Sequence, residues 1–247
     1  MGQHDVKTPG SIFVYSEEMG WFDFGPDHPF KPERATKTYE LCTRYGVINQ
    51  PWMKILEPEA IDRAFLALFH EPEYLSLLEE ASEGKVRLEM LERGLGTSDN
   101  PILSGIYEWS LLVAGGTHTA MHRLIKDDAF VAFNPLGGFH HAMPGHAEGF
   151  CYINDIAIAI MYALRKSPGL RIVYIDFDAH HGNGVQEAFY RDPDVLVISL
   201  HETGRTLYPW SGYETEIGEG EGRGFTVNLP LEPGTDDADK QQLSEGC

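Results

Sequence analysis

Two runs of the sequence hold the side chains most capable of chemistry. The first is N-P-L-G-G-F-H-H-A-M-P-G-H-A-E-G-F, residues 134–150, with tandem histidines at His140 and His141. The second is R-I-V-Y-I-D-F-D-A-H-H-G-N-G, residues 171–184. It begins as an apolar run rich in Ile, Val and Tyr, as a buried parallel strand does, and turns abruptly into acids and histidines. Side chains at i, i+2 and i+4 share one face of an extended chain. Asp176, Asp178 and His180 are therefore expected to converge at the strand's carboxyl end, where open α/β sheets bind ligands. A carboxylate and an imidazole suit zinc or a similar divalent ion, and iron(II) accepts the same donors. Taken singly, Asp178 is also a common helix-cap residue and His180 a common loop residue. Histidine suits proton transfer because its ordinary pKa lies near neutrality. A loop as long as 134–150 is usually functional or disordered, and its glycines let backbone approach a ligand.

The elements that must position these runs are legible from punctuation and periodicity. Strands are expected at residues 11–15, 54–56, 129–133, 171–176, 195–200 and 225–229. One helix should start near Pro32 and end before Gly46. Residues 59–83 read as a broken helix interrupted at Pro72, and residues 87–98 as a loop. Asn100-Pro101 reads as the start of a helix that runs to about Ile125. Further helices are expected at 155–166 and 183–190. Strands alternating with helices imply a three-layer α/β domain, a mostly parallel sheet with helices on both faces, spanning residues 1–247.

Composition narrows the function. The chain has 19 Lys and Arg against 38 Asp and Glu, a formal charge of −19. That excess argues against direct contact with nucleic acid. It suits a cationic substrate such as a Lys-rich segment or a polyamine, although solubility alone explains it equally well. No run of about 18 apolar residues occurs, so no membrane association is expected. The start, M-G-Q-H-D-V, lacks a signal-peptide pattern, and Val6 stands where myristoylation requires Ser or Thr. Cys42, Cys151 and Cys247 are scattered and fit a reducing, cytoplasmic setting.

The two runs are joined by G-F-C-Y-I-N-D at 149–155, H-P-F-K-P-E-R at 28–34, G-T-S-D-N-P at 96–101 and V-I-S-L-H at 197–201. Together they resemble the histone deacetylase family, which includes bacterial acetoin-utilisation proteins and polyamine deacetylases. The resemblance implies the arginase/deacetylase fold and zinc-dependent hydrolysis of an acetyl amide, on acetyl-lysine in a protein or on an acetylpolyamine. It makes Asp178 and His180 metal ligands and His141 the general base and then acid. His140 becomes an electrostatic partner held by Asp176, whose carboxylate favours imidazolium. Asn183 stands where many eukaryotic members pair the second histidine with Asp. A neutral amide orients the ring without adding charge, so a lower His141 pKa is expected than with Asp. Gly149, Phe150 and Tyr208 would line an acyl-lysine tunnel, with Asp99 as a rim acid on the substrate backbone. Asp99 also reads as an acid before a helix cap. Arg34 matches a buried Arg near an acetate exit and reads equally as a helix-surface residue. Asp176 and Ser199, with the carbonyls of Asp178, His180 and Leu200, match a potassium site.

Two parts of the family pattern have no match in the sequence. These are a third metal ligand and the tyrosine of a Gly-rich loop that stabilises the oxyanion, a donor worth about 2–4 kcal/mol. Asp236, Asp237 and Asp239 lie in a polar turn without the ligand's context. Family members continue beyond the position of Cys247. The chain is therefore expected to carry the N-terminal two-thirds of the domain and to be weak or inactive. The alternative is a catalytically silent protein of the same fold that binds acyl-lysine or a partner.

Overall fold

The first strand shows how the sequence builds its sheet. β1 (Gly10–Val14) is G-S-I-F-V. Ile12 and Val14 pack with Ala120 and Leu124 of the long helix α5 (Ile106–Ile125). Phe13 and Tyr15 turn the other way, onto Tyr39 of α1 (Arg34–Arg44). A strand covered on both faces is apolar at consecutive positions, and this explains the lack of alternation. β2 (Met53–Leu56) and β3 (Ala129–Phe133) flank β1 in parallel, in the order β2-β1-β3.

The computed structural model describes residues 10–126 and 128–236. The chain divides into two compact units, Met1–Pro168 and Gly169–Cys247. In the first, α2 (Arg63–Leu66), α3 (Pro72–Ser82), α4 (Leu88–Glu92) and α6 (Asp155–Lys166) accompany α1 and α5. Helix α5 packs on β1 and β3 and also against α3 and α6. Its Trp109 sits among Phe24, Phe30 and Phe139, which anchor the loops that follow β1 and β3. In the second unit, β4 (Ile172–Asp176), β5 (Val195–Glu202) and β6 (Thr226–Leu231) form a parallel sheet in the order β4-β5-β6. Helix α7 (Asn183–Phe189) packs on β5, burying Val185 and Phe189 with Val195 and Val197. The architecture is the expected parallel α/β arrangement with flanking helices, and all six expected strands form. Among the described residues no helix is long and apolar enough to cross a membrane.

Three helix expectations are corrected. Pro72 opens α3 at its first turn, where its missing N–H costs nothing, instead of interrupting a helix. Residues 88–92 form α4 within the expected loop. Helix α5 starts at Ile106, not at Asn100-Pro101. Thr97 Oγ1 accepts the Asn100 N–H and the Asn100 carbonyl accepts from Gly96 N–H, closing a turn there. Gly105, with φ of +81°, then redirects the chain. The start of α5 is capped from α3: Ser82 Oγ accepts the Tyr107 N–H at 3.1 Å and donates to Glu108 at 2.7 Å.

One close approach fixes the segment after β2. A Cβ on Gly115 of α5 would lie 2.5 Å from the Glu59 carbonyl oxygen. The Glu59 N–H also donates to Thr119 Oγ1 at 2.7 Å. Gly115→Ala gains about 1 kcal/mol of helix propensity. The overlap with backbone costs about 1–3 kcal/mol, so a lower urea midpoint is expected. An equal or higher midpoint would show that the 57–62 segment moves aside freely.

Candidate functional site

The tandem histidines are fixed by the first residues of α6. Asn154 is fully buried and does three things at once. Its Oδ1 caps α6 by accepting the Ala157 N–H at 2.9 Å. Its Nδ2 donates to the carbonyls of Ala142, at 3.1 Å, and His140, at 3.4 Å. Its backbone N–H donates to His70 Nε2 at 2.9 Å. Asp155 holds the preceding turn by accepting from Phe139 N–H at 2.8 Å, Gly138 N–H at 3.2 Å and the Thr117 hydroxyl. Burial pushes the Asp155 pKa up, and these donors pull it back down. The Asn134 amide donates to Thr117 Oγ1, which extends the network to the start of the loop. Between these anchors His140 and His141 are buried, their ring centroids 4.1 Å apart.

His70 closes the far side of the loop. With Nε2 accepting from Asn154, its Nδ1–H donates to the Pro144 carbonyl at 3.2 Å. Burial lowers its pKa to about 4, so the ring is neutral at physiological pH. Neither His70 nor Asn154 was singled out from the sequence. The signal for Asn154 was its place directly before an apolar helix, the preferred site of a capping Asn.

Several expected substrate residues adjoin this loop. Gly149 has φ of +55°, and a Cβ there would lie 2.4 Å from His141 Cδ2. Only glycine lets the chain close over that ring. Phe150 follows at φ of +69°, a conformation costing a non-glycine residue about 1–3 kcal/mol. Its ring packs edge-on against His28, 4.9 Å away. His28 Nδ1 accepts the Phe30 N–H, so Nε2–H donates to the Asp99 carbonyl at 3.1 Å. Asp99, Phe150, Gly149 and His141 are thus linked by successive contacts. Asp99 is exposed and lies within the turn closed by Asn100, not before a helix. Arg34, read equally as a buried Arg near an acetate exit and as a helix-surface residue, is exposed at the start of α1 with its guanidinium over the Phe30 ring at 4.7 Å. Cys151 is a free thiol whose pKa burial pushes up to about 12, so it is no nucleophile.

In the second unit the acidic run is not extended beyond β4. The strand ends at Asp176, and residues 178–180 are bends, so the period-two argument does not hold there. Side-chain turns replace it. Asp176 Oδ1 accepts the Asp178 N–H at 2.9 Å, and Asp178 Oδ1 accepts the His180 N–H at 2.8 Å. The same Asp178 oxygen lies 2.9 Å from His180 Nδ1. Asp178 and His180 therefore do converge, by turns instead of by alternation, and their side chains stay 53% and 40% exposed. The Tyr208 ring lies 6.3 Å from that of His180. Asp176 is buried beside its register partner Ser199 and accepts from the Tyr174 hydroxyl. Leu200 pairs with Leu229 of β6, and Asn183 opens α7. Two further histidines brace this region. His201 Nε2–H donates to the Gly212 carbonyl while Nδ1 accepts from Ser199, both at 2.8 Å, and burial lowers its pKa. His181 bridges Ser211 and Gln186. Asp236 is exposed at the end of the described residues, while Val6, Asp237, Asp239 and Cys247 lie outside them.

Buried tandem histidines in the first unit and an Asp-His turn after a parallel strand in the second are the features to compare with known proteins. The Histone deacetylase domain model matches residues 28–246, and the chain belongs to the histone deacetylase family. The acetoin utilization protein AcuC of Bacillus subtilis (strain 168) is 40% identical over 228 residues, covering 92% of this chain and 58% of the relative. Histone deacetylase 9 of Arabidopsis thaliana is 38% identical over 234 residues, covering 94% and 54%. The crystal structure of an HDAC homolog from Aquifex aeolicus superposes with a TM-score of 0.84 at 36% identity, covering 93% of this chain and 61% of that one. The fold is thus the arginase/deacetylase fold that the resemblance implied. The chain spans about six tenths of the length of these relatives.

The His70 anchor predicts a pH dependence. Its folded pKa of about 4 lies below the ordinary value of 6.5. Between those values the unfolded chain takes up a proton that the folded chain refuses. The contribution is therefore full above pH ~6.5 and is lost as pH falls toward ~4, on the order of 3 kcal/mol in all. Urea unfolding across this window should show a shallower pH slope for His70→Gln than for the wild type. Equal slopes would mean that His70 is not held neutral.

Proposed function

We propose that this chain carries the proton-transfer and metal-ligand residues of a deacetylase that hydrolyses an acetyl amide. The observation that supports this best is the buried His140–His141 pair, held by Asn154 at the carbonyls of His140 and Ala142, in a chain of this family. Asp178 and His180 offer a carboxylate and an imidazole 2.9 Å apart and open to solvent, a donor set that fits zinc or iron(II). Such a metal supplies Lewis-acid polarisation of the acetyl carbonyl when bound. His141 takes the proton of the attacking water and returns it to the leaving amine. His140 and Asp176 supply electrostatic stabilisation, and Asn183 orients an imidazole without adding charge. Gly149, Phe150 and Tyr208 flank the acyl chain, and Asp99 binds the substrate backbone. Asp176 and Ser199, neighbours across β4 and β5, bind potassium together with the carbonyls of Asp178, His180 and Leu200.

The substrate in this reading is an acetylated lysine in a protein or an acetylpolyamine. The formal charge of −19 favours such cationic molecules. The free thiols of Cys42 and Cys151 fit a cytoplasmic setting. Asp178 and His180 are two of the three protein ligands that catalytic zinc takes. The Asp178–His180 pair by itself is therefore expected to hold zinc weakly, and turnover to be slow.

The test is hydrolysis of an acetyl-lysine peptide at high enzyme and saturating zinc, with zinc content measured in parallel. His141→Ala should lower kcat by about 10²–10⁴-fold and leave zinc binding intact. Asp178→Ala should lower both. Undiminished turnover in His141→Ala would remove its assigned role. Peptide binding without hydrolysis in every form would favour the silent, acyl-lysine-binding protein.

A further inference from the structure

A second cluster of metal-binding side chains lies in the first unit, and the proposed chemistry does not use it. Glu59, His118 and His122 each offer a ligand atom, and these atoms all lie within 4.8 Å of one another. His118 and His122 stand four apart on α5 and so project from one face of the helix. His118 Nε2 lies 3.5 Å and His122 Nδ1 3.7 Å from the same oxygen, Glu59 Oε2. Those separations are too long for good hydrogen bonds. They are close to the roughly 3.4 Å between ligands on a tetrahedral ion with bonds of about 2.1 Å.

The cluster is held by groups that do not themselves ligate. The Glu59 backbone is docked on α5 by its hydrogen bond to Thr119 and its contact with Gly115. Arg123 holds the other Glu59 oxygen, Oε1, at 3.1 Å, which turns Oε2 toward the imidazoles. Phe65 and Tyr162 pack edge-on against the His118 ring from two sides, with centroids 4.5 and 4.6 Å away. His118 is buried, its Nδ1 has no hydrogen-bond partner among the described residues, and its polar contact is at Nε2, toward Glu59. The Tyr162 hydroxyl sits 3.1 Å from His122 Nδ1 and gives up that contact when the nitrogen ligates. A cavity of about 470 Å³, lined also by Ile61, Asp62 and Lys166, adjoins the cluster and gives an ion access.

We propose that Glu59, His118 and His122 form a site for a divalent first-row transition ion, zinc in the first instance. Two imidazoles and one carboxylate, with the fourth position open to the cavity, match the ligand count and type of an open zinc site. The bound ion ties the segment after β2 to α5. It shares no residue with Asp178 and His180.

The experiment must silence the Asp178–His180 donors first. In an Asp178→Ala/His180→Ala background, calorimetric titration with zinc chloride should show one equivalent bound, and zinc should raise the thermal midpoint. Cobalt(II) should give visible absorption from imidazole ligation. Adding Glu59→Gln or, separately, the more exposed His122→Gln should weaken zinc binding more than about tenfold, the scale on which even outer-sphere partners act. Two single variants guard against a folding defect in either, with circular dichroism as the check. No binding in the background would overturn the proposal, as would binding that both substitutions leave unchanged.

Discussion

Everything at the tandem-histidine loop depends on how the N-terminus of α6 is satisfied. A helix start leaves amide donors without partners, and a buried loop leaves carbonyls and amides without water. Asn154 and Asp155 answer both needs together. The same amide that caps the helix takes the carbonyls of His140 and Ala142, and the next carboxylate takes the amides of Gly138 and Phe139. The histidine backbones are therefore as fixed as the helix itself. His70 adds a third attachment through a neutral ring used at both nitrogens. Burial without that pairing would leave a polar ring unsatisfied, at a cost of about 1–3 kcal/mol.

The second unit solves a similar problem with consecutive side-chain turns. Asp176 holds the amide of Asp178, and Asp178 holds the amide of His180. Each carboxylate is positioned by the backbone it bends. Asp176 is buried while Asp178 and His180 face solvent. The braced histidines His181 and His201 each use both ring nitrogens on protein partners.

Much of this was legible in the sequence because local chemistry and tertiary demand agreed. β4 and β5 are runs of Ile, Val and Leu typical of parallel strands, and both appear where expected, although Val173 and Ile175 of β4 are exposed. Helix α6 begins and ends at the expected residues because Asn154 caps it and Ser167 follows a basic last turn. The failures have a common cause in partners distant along the chain. Helix α5 starts late because Ser82, over twenty residues earlier, supplies its cap, while the local Asn-Pro signal is absorbed by a turn with Thr97. Asp178 and His180 meet through turns that alternation cannot foresee. The roles of Asn154 and His70 were invisible because a capping amide that also holds a loop looks like any other capping amide. The Glu59–His118–His122 cluster was missed because its acid lies 59 residues before the nearer histidine.

The most direct measurement of the central claim, that α6 fixes the histidine loop, is amide hydrogen exchange at Gly138, Phe139 and His140. Their N–H groups are held by Asp155 and by the turn it closes. The account predicts strong protection in the wild type. It also predicts rapid exchange at these three amides in Asp155→Ala, with protection in β5 unchanged. Equal protection in both proteins would contradict it.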